Sequence, residues 1–321
     1  MNSLSIVICT RNRCHLVAPL IEHFDSNVVL PDSFSFEVIL VDNGSTDDTK
    51  RVMERLSLVP RKYLLQYAFE QKSGLSNARN RGIALAQHHH IGFIDDDALP
   101  DNDFLQSIVT AFSRLPDNDC FAHRVVNYPV NRPAWYCLEG KYRMLNRGDY
   151  DVGNDSRFLT EVDPVPIGSG MILSKKIFDN FGMFNPLFGY DISKTMMVPG
   201  EESELFFKIK SQKIPIYYIH NAIVRHYPEK EKYEVHTLCR TYRGIGFWYG
   251  GVEARSDAGR RRRRWLGYPP SYFRRLLFSG GRYLLSRLAF AKRIRYYHLF
   301  QMEKTLGYFI GYKAFDKECS R

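Results

Sequence analysis

The chain alternates short aliphatic runs with longer polar or amphipathic ones. "LSIVIC" (Leu4 to Cys9), "FEVILVD" (Phe36 to Asp42), "KYLLQY" (Lys62 to Tyr67) and "HIGFID" (His90 to Asp95) read as strands. Between them, an amphipathic stretch around Leu16 to Phe24, a segment from "NGSTDDT" to about Leu56, and "LSNARNRGIALAQ" (Leu75 to Gln87) read as helices. Strands joined by crossover helices are parallel and buried on both faces, so their apolar runs are nearly continuous. The pattern predicts an α/β fold with a Rossmann-like, mostly parallel sheet flanked by helices. Farther on come a helix from Asp101 to about Leu115, a strand at Phe121 to Pro129 and an irregular stretch over 130–165. "VPIGSGMILS" (Val165 to Ser174), a helix near Lys175 to Phe181, "GEESELFFKIKSQ" (Gly200 to Gln212) and "IPIYYIHNAIVRHYP" (Ile214 to Pro228) resume the pattern. Beyond Glu229 the chain is rich in Arg, Tyr and Leu at helical spacing, which places a domain boundary near residue 230.

Composition changes this picture in two places. Six scattered cysteines form no CxxC pair, which argues against a zinc site or a disulfide framework and for a reducing, cytosolic compartment. The opening "MNSLSIVICTRNR" has arginines directly behind its apolar run and reads as a first strand, not a signal peptide. The net charge of +10 is a property of the tail. Residues 255–321 hold 17 Lys and Arg against 4 Asp and Glu, whereas residues 1–254 hold 28 against 31. Such asymmetry points to an anionic partner surface.

In a doubly wound sheet, ligands sit outside the carboxyl ends of the strands. Thr10 with Arg11, the cluster Asp42 to Asp48, and the run Asp95, Asp96, Asp97 all follow predicted strands and so meet at that edge. Three carboxylates do not sit dry and unpaired, because burying an ionised group without compensation costs several kcal/mol or shifts its pKa. A divalent cation resolves this, and oxygen ligands suit Mg²⁺ or Mn²⁺. A solvated turn leading into a capped helix is the alternative for "DDDALPDND". Glu201, Glu202 and Glu204 crowd a helix start, where the macrodipole favours negative charge, although one facing a cleft could serve as a general base. His226 could complete a cation site. The run His88, His89, His90 is expected to be exposed or partly packed.

Six segments in order, "SIVICTRNR", "VILVDNGSTDDT", "KSGLSNARNRGIALA", "GFIDDDALPDNDFL", "IGSGMILSKKIFDNFGMFNP" and "GEESEL", resemble glycosyltransferase family 2, nucleotide-sugar-dependent inverting enzymes of the GT-A fold. The resemblance spans roughly Leu4 to Pro228. It implies a GT-A catalytic domain over 1–230, with a nucleotide-binding half (1–97) and an acceptor-binding half (98–230). It also implies a nucleoside-diphosphate sugar donor and a glycan or lipid-linked glycan acceptor in cell-surface polysaccharide synthesis. Thr10 and Arg11 would line the nucleotide pocket, Asp42 would meet the base, and Arg79 with Asn80 would lie beside the nucleotide. Asp95 and Asp97 match the DxD-type motif, which puts Asp95 and Asp96 with the donor and Asp97, with His226, on Mn²⁺ or Mg²⁺. Glu202 matches the family's base position, with Glu201 a rival because Glu-Glu replaces the commoner Glu-Asp pair.

"GRRRRRWLGYPP" (Gly259 to Pro270) and the Arg-interrupted Tyr272 to Phe300 stretch are too charged to span a bilayer. The region 231–321 is expected to form basic amphipathic helices that place the protein peripherally on the inner, cytoplasmic face of a membrane. Packing on the enzyme or an oligomer interface is the alternative, and "LGYFIGY" (Leu306 to Tyr312) fits a packed surface. No nucleic-acid partner is expected. Two other functions remain open: a nucleotidyltransferase, against which the glycine-free "CTRNRCHL" counts, and a non-enzymatic anionic-surface binder with an inactive sheet domain.

Overall fold

The computed structural model describes residues 3–27, 29, 34–144, 148–191, 196–257, 265, 268–288 and 291–319. It divides into two compact units. The first comprises Met1–Val130, Arg147–Pro186 and Glu201–Pro228; the second comprises Asn131–Asn146, Leu187–Gly200 and Glu229–Arg321. The division does not fall at one position, because two excursions, 131–146 and 187–200, group with the C-terminal helices.

The first unit begins β1 (Ser3–Thr10), α1 (Cys14–Asn27), β2 (Ser35–Asp42), α2 (Thr49–Ser57), β3 (Leu64–Phe69), α3 (Leu75–Leu85) and β4 (His90–Asp95). These four strands are parallel, in the spatial order β3-β2-β1-β4. The chain continues through β5 (Ala98–Pro100), α4 (Phe104–Arg114), β6 (Cys120–Asn127), β7 (Arg157–Phe158), β8 (Met171–Ser174), α5 (Lys175–Phe181), α6 (Glu201–Ser211) and β9 (Tyr217–His226). β8 runs antiparallel to both β4 and β6, β6 and β9 are parallel, and β5 and β7 pair antiparallel with β9. The parallel part of the sheet thus carries the N-terminal half, and a mixed extension follows it.

Side-chain alternation builds a core on each face of the sheet. Leu4, Ile6 and Ile8 pack with Val17, Leu20, Ile21 and Phe24 of α1 and with Ile108 and Phe112 of α4. Val7, Ile39, Ile91 and Phe93 pack on the opposite side with Ala78 and Ile83 of α3 and Phe206 of α6. Parallel register then fixes the functional edge: Thr10 lies beside Asp42, and Cys9 beside Asp95. His90 corrects the sequence expectation. As the first residue of β4 it is buried, ringed by Phe112 and Phe121, and burial pushes its pKa down.

The second unit is built on α7 (Val235–Asp257), α8 (Pro270–Ser286) and α9 (Lys292–Cys319). Its apolar clusters are aromatic: Tyr136, Tyr233, Tyr242 and Phe300 form one, and Tyr272, Tyr312 and Phe315 another. Glycines at four-residue spacing lie on one helix face and let helix backbones approach closely. Gly246 and Gly250 of α7, and Gly307 and Gly311 of α9, each face the backbone of the other helix in this way. A Cβ on Gly246 would collide with the Lys304 carbonyl, one on Gly307 with the Arg243 carbonyl, and one on Gly311 with the Phe247 carbonyl. Arg243 also pairs with the largely buried Glu303 across the two helices. "LGYFIGY" therefore contributes Gly307, Gly311 and Tyr312 to packing, while Ile310 stays exposed. Because the obstacle is backbone rather than a movable side chain, Gly307→Leu should destabilise this unit by about 3 kcal/mol. A lowered urea midpoint would register it, and an unchanged midpoint would contradict the packing.

Among the described residues no helix is long and apolar enough to cross a membrane. The arginine run Arg260 to Arg264 lies outside the described residues.

Candidate active site

Asp95 ends β4, and Asp97 stands two residues on, just before β5. The β5–β9 ladder sets Ala98 opposite His226, and the Tyr227 N–H donates to the Asp97 carbonyl at 2.8 Å. This brings the His226 Nε2 to 3.1 Å from an Asp97 carboxylate oxygen, both side chains being almost fully buried. One ligand atom each from Asp95, Asp97 and His226 lie within 4.8 Å of one another. Gly148 backs the imidazole: its φ of 79° lies in the left-handed region, and a Cβ there would collide with His226 Nδ1. Asp95 therefore joins the group that the sequence reading limited to Asp97 and His226. Two carboxylates and an imidazole converging this closely are a donor set that fits Mn²⁺ or Mg²⁺.

A second charged layer adjoins the first. Arg79 of α3, 3% exposed, donates from Nη1 to Glu201 at 2.7 Å, and its Nη2 lies 3.7 Å from Asp95. Burial works against its charge, but Glu201 and Asp95 outweigh it, so Arg79 stays a guanidinium. It also lies over the rings of Phe93 and Phe184. Glu201 is thereby committed to an ion pair at the start of α6. Glu202 is different. The residue as a whole is half-buried, yet its Oε2 is sealed from solvent and has no hydrogen-bond partner. Burial, and then the charge of Glu201, push the Glu202 carboxyl well above the usual carboxylate range.

The remaining predicted residues fall along the same strand edge in other surroundings. The Thr10 hydroxyl donates to Asp96 at 2.8 Å and Arg13 donates to the other Asp96 oxygen at 2.6 Å. Asp96 thus ties the end of β1 to the end of β4 and does not belong to the three-residue ligand group. Arg11 donates to Ser73 at 2.6 Å, while its Nε is buried without a partner. Asp42 is buried, accepting from the Ser45 N–H at 2.8 Å and the Tyr67 hydroxyl at 3.0 Å. Asn80 exchanges two hydrogen bonds with the Phe184 backbone, at 2.8 and 2.9 Å, and so anchors the turn after α5.

Sequence reasoning assigned no role to Ser169, Arg13 or Gly148. Ser169 donates to Asp95 at 3.0 Å from the 3-10 turn Gly168–Gly170. The signal for it was present, since "IGSGM" stands among the six segments of the resemblance. Gly148 stood in the irregular stretch, where no pattern marks a glycine that must back an imidazole.

A parallel sheet extended by mixed strands, with clustered carboxylates at its carboxyl edge, defines a GT-A transferase fold. The chain belongs to glycosyl transferase family 2, whose model matches residues 5–182. Validoxylamine A glucosyltransferase of Streptomyces hygroscopicus subsp. limoneus is 31% identical over 110 residues, covering 34% of this chain and 23% of that protein. Glycosyltransferase GlyG of Streptococcus pneumoniae serotype 4 is 24% identical over 134 residues, covering 41% and 42%. The matched segment thus spans less than half the length of these relatives. Among solved structures, the mannosyltransferase PcManGT of Pyrobaculum calidifontis, in complex with GDP-Man and Mn²⁺, superposes with a TM-score of 0.55. It shares 14% identity, over 97% of this chain and 86% of that one. S. aureus TarS 1-349 gives 0.53 at 14% identity, over 94% and 90%.

Proposed function

We propose that this chain is a metal-dependent, inverting glycosyltransferase that moves a sugar from a nucleoside-diphosphate donor to a hydroxyl of a glycan or lipid-linked glycan. Cell-surface polysaccharide synthesis at the inner face of a membrane is the setting this reading assigns it. The carrying observation is the convergence of Asp95, Asp97 and His226, with the partnerless Oε2 of Glu202 in the same catalytic unit. The structural neighbours, one in complex with UDP-GlcNAc and one with GDP-Man and Mn²⁺, support the donor class.

In this reading Thr10, Arg11 and Asp42 surround the nucleotide, with the Arg11 Nε available to an acceptor oxygen. Asp95, Asp97 and His226 hold the cation, which when bound supplies positive charge beside the diphosphate. Glu202 takes the proton of the acceptor hydroxyl as that oxygen bonds to the anomeric carbon. The bond from that carbon to the diphosphate oxygen breaks, and the nucleoside diphosphate leaves with the electron pair. Glu201 and Arg79 position Glu202 and Asp95. Attack from the face opposite the leaving group inverts the anomeric centre.

The test is donor turnover with UDP-, GDP-, CDP- and dTDP-sugars, followed by release of the nucleoside diphosphate and by NMR of the product anomer. Cation-dependent release from one donor class, giving an inverted product, is the expected result. A retained configuration would overturn the mechanism, and pyrophosphate release from a nucleoside triphosphate and a sugar phosphate would favour a nucleotidyltransferase.

A further inference from the structure

The basic tail is not uniform in the structure. α9 spends its aromatic side chains on internal packing: Tyr308, Phe309 and Tyr312 lie around Tyr272, and Phe315 packs tilted against Phe247. α8 is different. Its inner face is held by the buried Tyr272 and Ser286, whereas Leu277, Phe278, Leu284 and Leu285 are 77, 62, 64 and 71% exposed. Leu288, two residues past the helix end, is 80% exposed. The positions 277, 278, 284, 285 and 288 follow the i, i+1, i+7, i+8, i+11 spacing of a single helix face. Five large apolar side chains in one stripe form a patch of the kind that marks an interaction site, unlike scattered exposed leucines.

The charge around the stripe selects its partner. Between Asp257 and Glu303 the sequence holds twelve Lys and Arg and no Asp or Glu. Arg274, Arg275 and Arg282 lie on α8 itself, and Arg287 follows directly. A second copy of this helix would bring like charges together. A nucleic acid would meet the arginines but leave the leucines in water. An anionic bilayer offers a sheet of phosphates above hydrocarbon, and so satisfies both.

We infer that α8 is the element that docks on the membrane, lying in the plane of an anionic bilayer with the Leu277, Phe278, Leu284, Leu285 and Leu288 stripe inserted and its arginines on lipid phosphates. This rests on the membrane reading of the tail given above and narrows it to one helix face. α7 and α9 then support α8 and do not enter lipid. Salt should weaken binding, since the phosphate contacts are partly screened while the apolar insertion is not.

The experiment is flotation of the 321-residue chain on vesicles of phosphatidylcholine, alone or mixed with phosphatidylglycerol. The parent protein should float with the mixed vesicles, and less so as salt rises. Leu284→Glu combined with Leu285→Glu should lower partitioning on the order of 100-fold. Arg282→Gln combined with Arg287→Gln should lower it on the order of 30-fold and flatten the salt dependence. These side chains are exposed, so circular dichroism and the nucleotide-induced thermal shift should match the parent. If the double Leu variant floats like the parent, α8 is not the docking face although the tail binds. If the parent does not float at all, both the inference and the tail reading fall. A parent dimer that the Leu variant dissociates, with no flotation of either, would make the stripe an interface between copies and overturn the proposal. None of these outcomes bears on the transferase chemistry, which is read separately by donor turnover.

Discussion

Glu202→Gln is expected to lower kcat by about 10²- to 10⁴-fold while leaving donor affinity within a few-fold, because it removes proton transfer and little else. The substitution is nearly isosteric, and the Oε2 position has no hydrogen-bond partner to lose. Glu201→Gln should separate the two neighbours. It removes the charge paired with the buried Arg79 and leaves the longer contact to Asp95 as its ion pair, so its first effect should be on stability, on the order of 3 kcal/mol. The pH dependence supplies a second readout. Burial and Glu201 raise the Glu202 carboxyl, so the free enzyme reaches its basic form only well above the ordinary carboxylate range. Parent kcat/KM should therefore rise with pH along a displaced acid limb, and the limb should vanish in Glu202→Gln. Stability runs the other way. A carboxyl whose folded pKa is raised contributes stability below its unfolded pKa, and that contribution is lost as pH rises through the folded value. At mildly alkaline pH the Gln variant should thus melt higher than the parent while turning over far more slowly. Near-normal turnover in this variant would remove Glu202 from the base role.

The strands and helices of the N-terminal half were legible because β1, β2 and β4 are buried on both faces and are each followed by a polar cluster, while β3, at the edge of the sheet, is only partly buried. Thr10, Asp42 and Asp95 could be placed on one edge from this pattern alone, and the parallel register agrees. The cation group was only half legible. What brings His226 to Asp97 is β5, three residues long and ending in Pro100, too short to show any period and hidden in a run that reads as a turn. The same ladder shortens α4 to Phe104–Arg114, since the chain leading into the expected helix start at Asp101 is drawn onto β9. Antiparallel β8 was readable as a strand but not in its direction, which depends on a connection of uneven length through the 130–165 region. In the tail, composition announced basic helices. It could not say which face each would spend on its neighbours, because the α7–α9 contact is made by glycines, which carry no hydrophobic signal.

Asp97→Ala should abolish most transfer and, unlike Glu202→Gln, should also remove the cation-dependent part of nucleotide binding. Losing a group that merely orients a ligand weakens a metal site about 10- to 100-fold, so losing a ligand should exceed about 100-fold. Asp97 has a double part, since its carboxylate is both a candidate ligand and the 3.1 Å partner of His226 Nε2. Its backbone carbonyl, which accepts from Tyr227, survives the substitution, so the β5–β9 ladder and the fold should persist. Gly148→Ala attacks the same site from the opposite side without touching a ligand. Its left-handed φ of 79° disfavours alanine, and the new methyl would have to displace the His226 ring. The measurement is Mn²⁺ binding itself, by loss of the free-ion electron paramagnetic resonance signal, paired with thermal shifts of each variant with UDP and GDP. Both variants should bind Mn²⁺ weakly, Asp97→Ala the more so, whereas Glu202→Gln should bind it like the parent. Parent-like Mn²⁺ affinity in both Asp97→Ala and Gly148→Ala would mean that the cation is held elsewhere. Loss in Asp97→Ala alone would keep the carboxylates as ligands and remove His226 from the set.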